Sequence, residues 1–238
     1  VRGTNRLMTS RAEILAALAR VRDPELDEPI TDLDFVSDLE VENGAAFVRL
    51  RLPTYFCAPN FAYLMVADAK TAVLSVPGIE RANVALDDHY ASAEINIGVN
   101  DGHGFDGAFP DETESPDLEE LRNIFRRKSF VSRQEQLCRY LLAEGHTPSG
   151  LAGMALSDVP ASDLLQKYLE RRAELGLDVS GDAPFVVDPD GKRVPEGAVV
   201  QHLRYARTVR TSIEGNAELC RGLLATRYAI PHREETTA

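Results

Sequence analysis

The dipeptide Asn43-Gly44 lies between two stretches with the composition of β-strands, and it is the feature that most strongly limits the folds this chain can adopt. Asn-Gly is the strongest short-range signal for a β-hairpin, because both residues accept the positive φ angles that a tight turn requires. Residues 35–41 precede it, and Val48, Leu50 and Leu52 follow it in alternation with arginines. The pattern predicts a two-stranded hairpin with one face in water and one face that must be covered.

Helical patterns on both sides of the hairpin predict two helices that can pack on its apolar face. Ser10 and Glu13 have the spacing of a capping box, and the apolar residues after them predict a helix over 11–21. A second 3.6-residue period predicts a helix over 60–75, and residues 79–86 are typical of a third strand. The order α-β-β-α-β predicts an α+β domain whose helices pack on a small sheet.

The second half of the chain is predicted to be mainly helical. A short hairpin is expected around Asp190-Gly191. The predicted helices cover residues 118–142, 161–175, 198–212 and 214–228.

These patterns divide the chain into segments. Residues 10–97 are the α+β domain, 98–117 an acidic linker or functional loop rich in glycine and proline, and 118–230 a mainly helical accessory domain. Residues 1–9 are interpreted as a start region or vector remnant, with Met8 as the natural start, and 231–238 as a tail.

Charge and cysteine content exclude several classes of protein. The chain has 26 basic and 38 acidic residues and a net charge of −12, the wrong sign for a nucleic-acid binder. Eleven of the acids lie between Arg81 and Arg122, an interval without Lys or Arg. No apolar stretch is long enough to span a membrane. The three cysteines are far apart without a Cys-x-x-Cys pair, which argues against a disulfide framework and predicts the reducing cytosol.

Cys57 is the first candidate for chemistry. It lies in a proline-containing loop before the second predicted helix, where unpaired N–H groups stabilise a thiolate that binds metal or attacks an electrophile. The alternative is a small hydrophobe buried in a tight turn. The loop from Asp23 to Asp34 carries six carboxylates, Glu25 and Asp32 among them, which either ligate metal or form solvated turns.

Three stretches in this order resemble the small iron–sulfur assembly domain shared by SufT, the phenylacetate-oxygenase maturation factor PaaD and cytosolic iron–sulfur targeting factors. They are DPELDEPITDLDFV (23–36), VRLRLPTYFCAPN (48–60) and VPGIERANVAL (76–86). The resemblance implies that Cys57 handles iron or a cluster, with Thr54, Asp32 and Glu25 as loop support. One departure is that only two residues separate Thr54 from Cys57, where the family usually has three.

The whole chain resembles longer actinobacterial iron–sulfur assembly factors found near soluble di-iron monooxygenases of the propane monooxygenase type. That resemblance extends through residues 170–178, 183–191 and 210–228. It implies maturation of the monooxygenase hydroxylase as client rather than turnover of the hydrocarbon. Consistently, no histidine has a glutamate three residues before it, so the paired Glu-x-x-His helices of a di-iron enzyme are missing.

A cysteine-ligated cluster normally takes four ligands, so a cluster at Cys57 requires further ligands from elsewhere. A homodimer could pair two copies of Cys57, or Cys138 or Cys220 could fold over the first domain, although both lie on apolar helix stripes typical of a core. His89 and His103, each near carboxylates, are weaker candidates for an iron or zinc site.

The arginines Arg204, Arg207 and Arg210 recur every third residue of a predicted helix and either dock an acidic partner or solvate the helix. The leading hypothesis is a non-enzymatic factor that binds iron or an iron–sulfur species transiently and delivers it to a client metalloenzyme. The alternatives are a metal-independent assembly chaperone and an enzyme with Cys57 as nucleophile.

Overall fold

A computed structural model of the chain describes residues 10–110 and 118–230, which divide into two compact units. Among the described residues, the first unit contains 10–110 and Leu118 together with 217–230. The second unit is Glu119–Asn216. The predicted start region and tail, and residues 111–117 of the predicted linker, lie outside the described residues.

The first unit begins with a helix and the predicted hairpin. Helix α1 (Arg11–Leu18) has the expected capping box, in which the Ser10 hydroxyl accepts from the backbone N–H of Glu13. Two short antiparallel strands, β1 (Arg22–Asp23) and β2 (Glu28–Pro29), precede the hairpin. Strands β3 (Val36–Glu42) and β4 (Ala45–Leu50) pair around Asn43-Gly44, whose φ angles are 47° and 76°.

The covering helix and the third strand complete the predicted sheet. Helix α2 (Pro59–Leu74) connects β4 to β5 (Arg81–Leu86), and β5 runs parallel to β4. The sheet order is β3-β4-β5. Val66 of α2 and Val84 of β5 are fully buried in a core shared with α1, as an apolar face on each element requires.

Two helices that the sequence patterns did not predict follow β5. They are α3 (Ser92–Asn100) and α4 (Gly104–Ala108), and α4 lies inside the stretch expected to be a linker. The side-chain amides of Asn96 and Asn100 exchange hydrogen bonds with the backbone of Leu86 and Val84, at 2.7 to 3.2 Å. The polar side of α3 therefore provides hydrogen-bond partners for backbone groups at the edge of the sheet formed by β5. Ile95 and Val99, four residues apart, are buried in the core, but two positions are too few to signal a helical period.

The second unit is mainly helical, with α5 (Leu118–Ala143), α6 (Pro148–Gly153), α7 (Asp163–Glu174) and the first part of α8 (Val199–Tyr228). The two helices predicted over 198–212 and 214–228 are one helix, because Gly215 weakens a helix by only about 1 kcal/mol and does not end it.

Around Asp190-Gly191 the chain turns with a single bridge between Val187 and Arg193 rather than a regular hairpin. The predicted α+β class, with a mainly helical second half, is confirmed. Within residues 10–110 and 118–230, no helix combines the length and apolar character of a membrane span.

Candidate functional site

Cys57 lies in the loop between β4 and α2, two residues before the helix begins at Pro59. Cys57 is partly exposed, and its sulfur lies 3.2 Å from the hydroxyl oxygen of Thr54. That hydroxyl also accepts a 3.2 Å hydrogen bond from the backbone N–H of Phe56, and either the hydroxyl or the thiol can donate the proton that lies between them. The two-residue spacing between Thr54 and Cys57 thus places the hydroxyl against the thiol.

His89 lies beneath this loop and fixes its backbone. Its Nε2 donates a 2.7 Å hydrogen bond to the Cys57 carbonyl, and its Nδ1 accepts a 3.2 Å bond from the N–H of Ala91. The ring is therefore the neutral Nε2–H tautomer. Burial, opposed by the Cys57 bond and aided by the charge of Arg227, lowers the pKa of His89. Both ring nitrogens are engaged within the protein, so this geometry makes His89 a support for the loop.

Three aromatic rings form an exposed rim beside Cys57. Phe56 is 76% exposed and packs against Tyr55 and Tyr90, with ring centroids 5.0 and 6.0 Å away. The backbone carbonyl of Tyr55 accepts a 3.1 Å hydrogen bond from the N–H of Tyr90, which joins the Cys57 loop to the segment after β5. Large rings left exposed together are typical of a contact surface.

The acidic loop from Asp23 to Asp34 contains two of the predicted support residues, Glu25 between β1 and β2 and Asp32 after β2. Asp23 is buried and accepts 2.8 and 2.9 Å hydrogen bonds from the backbone N–H groups of Glu25 and Leu26. Burial raises the pKa of Asp23 to about 6. Asp32 is exposed and accepts a bond from the Thr31 hydroxyl. The part of the loop that follows Asp23 is therefore a turn whose backbone N–H groups are bound by a buried carboxyl group.

Cys220, on the last part of α8, belongs to the same unit as Cys57. Both side chains pack against the core of the first unit. Burial raises the pKa of the Cys220 thiol to about 11, and the charges of Asp23, Cys57 and Glu25 contribute to this rise. The helix face differs from the predicted stripe, because Leu219 and Leu223 are exposed while Ala217 and Leu224 are buried.

Cys138 lies elsewhere, in the core of the second unit. It is fully buried between Leu137 and Leu141 of α5, as the apolar stripe predicts. Burial, with the charge of Glu135, raises the pKa of the Cys138 thiol far above its usual range. The structure assigns Cys57 and Cys138 to different units, and Cys57 and Cys220 to the same one.

The predicted arginine row divides by burial. Arg210 is buried and pairs with Glu135, at 2.5 Å, and with Glu214. Arg204 and Arg207 are exposed and line a cavity of about 450 Å³ within the second unit. Its other lining residues are both apolar and charged: Glu135, Cys138, Arg139, Leu142, Pro148, Val200, Leu203 and Arg210. The cavity therefore combines an apolar wall with three exposed arginines.

Sequence patterns alone missed several parts of the site. The aromatic pair Tyr55-Phe56 was visible beside Cys57 but carried no periodic signal. The contribution of Arg227 depends on the tertiary fold, since its guanidinium donates to the carbonyls of Leu52 and Asp88 at 3.1 and 2.5 Å. His103, the other candidate histidine, is exposed before α4. Among the described residues, no three His, Cys, Asp or Glu side chains converge to hold a metal ion by themselves.

Comparison with known proteins defines the class of the first unit. Residues 11–86 match the family of iron–sulfur cluster assembly proteins. An uncharacterised protein of Methanocaldococcus jannaschii is 30% identical over 90 residues, which are 37% of this chain and 93% of that protein. An iron–sulfur cluster carrier protein of Synechocystis is 29% identical over 79 residues, 33% of this chain but only 22% of the carrier protein.

The chain belongs to the iron–sulfur cluster assembly protein family. The matched residues include β1 to β5, α1 and α2, and therefore the Cys57 loop and the acidic loop. The first unit continues beyond the match with α3, α4 and the last part of α8.

Proposed function

We propose that this chain is a carrier that holds an iron–sulfur species at Cys57 and delivers it to a client metalloenzyme. The observation that carries the proposal is the environment of Cys57, a partly exposed residue whose sulfur lies 3.2 Å from the Thr54 hydroxyl. The thiolate is the form of cysteine that binds iron, and a hydroxyl at this distance can donate a hydrogen bond to it. Membership of the iron–sulfur cluster assembly family supports the binding of an iron–sulfur species, and the similar Synechocystis protein is named as an iron–sulfur cluster carrier.

The ligand set at Cys57 suits cargo rather than a resident cofactor. A cysteine-ligated cluster takes four ligands. We propose that groups from outside the chain, on a second copy in a homodimer or on the client, provide ligands besides the cysteines. A client that supplies ligands competes directly for the cluster, which is what transfer requires. The aromatic rim of Tyr55, Phe56 and Tyr90 offers such a molecule a contact surface beside the sulfur.

The client that we propose is the hydroxylase of a soluble di-iron monooxygenase, and the compartment is the cytosol. The support for the client is the resemblance of residues 170–178, 183–191 and 210–228 to factors found near such enzymes. The cavity with Arg139, Arg204 and Arg207 fits an acidic segment of this partner, because its charges are complementary to carboxylates and its wall is apolar. Three unpaired cysteines suit a reducing compartment.

Two other functions make different predictions. A metal-independent assembly chaperone would use the cavity and the rim without Cys57. An enzyme with Cys57 as nucleophile needs a base within hydrogen-bond reach of the sulfur. His89 does not fill that role, because its Nε2 donates to the Cys57 carbonyl and its Nδ1 accepts from Ala91. The carrier function is therefore better supported than the enzyme.

Anaerobic reconstitution with iron and sulfide tests the carrier function. We expect the wild-type chain to bind both, to show the visible absorption of a cluster, and to activate the apo-monooxygenase. Cys57→Ser is expected to lose the cluster and the activation together, whereas Cys138→Ala, which changes a thiol in the other unit, keeps the cluster. Full activation by Cys57→Ser without bound iron would support the chaperone and overturn the carrier.

A further inference from the structure

The cavity of about 450 Å³ in the second unit is lined by one face of α5 and one face of α8, with Pro148 at the start of α6 beside them. Its volume is in the range typical of ligand pockets, roughly 300–1,000 Å³. The lining residues recur at helical intervals. Those of α5 are Glu135, Cys138, Arg139 and Leu142, and those of α8 are Val200, Leu203, Arg204, Arg207 and Arg210. Two regular helix faces therefore build the cavity within a single unit.

The arginines of this cavity differ in whether a carboxylate already neutralises them. Arg210 is buried and pairs with Glu135. Arg139, Arg204 and Arg207 are exposed, and no carboxylate in the part of the chain that the structure describes forms an ion pair with any of them. Three like charges at one cavity repel one another, and an anion bound among them offsets that repulsion. Although the chain carries a net charge of −12, this cavity is therefore suited to a negatively charged ligand.

The rest of the lining is apolar. Leu142, Pro148 and Leu203 are half-buried, and Val200 is 47% exposed. Cys138 is fully buried and so belongs to the base of the cavity. An inorganic anion would satisfy the arginines but leave this apolar surface in water, and a plain hydrocarbon would do the reverse. A fitting ligand therefore combines an apolar group with negative charge.

The length of the cavity favours a peptide segment over a small organic acid. Along α8 the lining runs from Val200 to Arg210, and ten residues at 1.5 Å each extend about 15 Å. An extended peptide rises about 3.3 Å per residue, so roughly four or five of its residues span this distance. Arg204 and Arg207 lie along this run, and Arg139 lines the same cavity from α5. Carboxylates at several positions of a segment can therefore reach guanidinium groups on both helices.

We propose that the cavity binds a segment of the client in which one large apolar side chain lies between Asp or Glu residues. The inference rests on the proposed function and specifies the chemistry by which the client is recognised. The apolar side chain packs against Leu142, Val200 and Leu203, and its acidic neighbours pair with the three exposed arginines. Arginine suits this role because its guanidinium group is weakly hydrated and binds a carboxylate through two N–H groups.

Fluorescence anisotropy with synthetic peptides and the full chain tests the inference. The probe is a fluorescein-labelled peptide with a central leucine, two aspartates on each side and Gly-Ser at both ends. One control peptide has serine in place of the leucine, and the other has asparagine in place of every aspartate. We expect the probe to bind saturably at low salt. Each control is expected to bind at least about 10-fold more weakly, because it loses either the apolar or the charged part of the contact.

Two variants at exposed positions separate these contacts. Arg207→Gln removes one guanidinium group and is expected to weaken the probe and the serine peptide but not the asparagine peptide. Val200→Ser removes part of the apolar wall and is expected to weaken the probe and the asparagine peptide but not the serine peptide. Lys167→Gln removes a charge at an exposed residue outside the lining, and we expect it to bind all three peptides like the wild type. This pattern is the coupling that direct contact requires.

Equal binding of the probe and the serine peptide, or wild-type binding of the probe by Arg207→Gln, overturns the inference. Displacement of the probe by octanoate as readily as by unlabelled peptide also overturns it and assigns the cavity to a small organic acid. Cluster reconstitution keeps this inference apart from the carrier function, because Arg207 and Val200 lie outside the first unit. If the probe does not bind but the wild type holds a cluster, only the inference fails. If the wild type holds no cluster, the carrier function itself fails.

Discussion

Replacement of Asp23 by asparagine is expected to stabilise the first unit at neutral pH. The Asp23 carboxylate accepts hydrogen bonds of 2.8 and 2.9 Å from the N–H groups of Glu25 and Leu26. An asparagine side-chain oxygen can accept the same two bonds. The substitution therefore keeps the turn and removes the negative charge that is buried in it.

The size of the effect follows from the pKa. Burial raises the pKa of Asp23 from 3.8 to about 6. One pKa unit corresponds to about 1.4 kcal/mol, so the buried charge costs about 3 kcal/mol of unfolding free energy once it is fully ionised. Between these two pKa values the folded chain holds a proton that the unfolded chain has lost. The contribution of Asp23 is therefore most favourable below pH about 4, falls as the pH rises to about 6, and stays low above it.

Urea unfolding, monitored by the amide NMR signals, measures the unfolding free energy of the first unit directly. The signals of Val48 and Leu86, both in the sheet, report the first unit alone. We expect Asp23→Asn and the wild type to have similar unfolding free energies at pH 4, and the variant to be more stable by up to about 3 kcal/mol at pH 7.5.

An exposed glutamate in the first unit provides the matched control. Glu13 accepts a 2.7 Å bond from the backbone N–H of Ser10, and this bond lowers its pKa. Glu13→Gln is therefore expected to give no gain in stability at neutral pH. Equal unfolding free energies of the wild type and Asp23→Asn at pH 7.5 would refute the reasoning, as would a wild-type advantage that grows from pH 4 to pH 6.

His89→Leu removes the donor to the Cys57 carbonyl; we expect a loss of about 1–3 kcal/mol and faster alkylation of Cys57 by iodoacetamide, measured by peptide mass spectrometry. His89→Gln, which keeps a donor, is expected to recover part of both, and equal alkylation rates in all three chains would contradict the support role. Arg204→Glu is expected to slow association with the apo-hydroxylase in surface plasmon resonance at low salt, with the difference shrinking as salt is raised. Lys167→Glu makes the same charge change at an exposed residue outside the cavity lining, and an equal slowing by both variants would remove the cavity from the docking surface.

The elements around the Cys57 loop could be predicted because each has a strong local signal. Asn43-Gly44 fixed the hairpin, and the capping box of Ser10 and Glu13 fixed the start of α1. Helix α3 could not be found in this way. Its buried apolar residues, Ile95 and Val99, are too few to define a period, and its N-cap, Ala91, makes no side-chain capping bond.

The environment of Cys57 was less predictable than its position. The Thr54 hydroxyl is close in sequence, and the motif pointed to it. Cys220 is 163 residues away, and only the packing of α8 shows that the two thiols border the same core. The role of His89 depends on which atoms its ring nitrogens meet, and here they meet the Cys57 carbonyl and the Ala91 N–H. Such information lies in the tertiary structure alone.

The structure also argues against treating the family-matched segment as a self-sufficient module in this chain. Residues 11–86 carry Cys57, but they lack His89, which fixes the Cys57 carbonyl. They also lack Arg227, which binds the carbonyls of Leu52 and Asp88, and Cys220. Each of these comes from later parts of the chain, and two of them come from one helix face that is anchored in the core by Ala217 and Leu224. A change in the last turns of α8 therefore acts on the Cys57 loop directly, through hydrogen bonds to its flanking carbonyls.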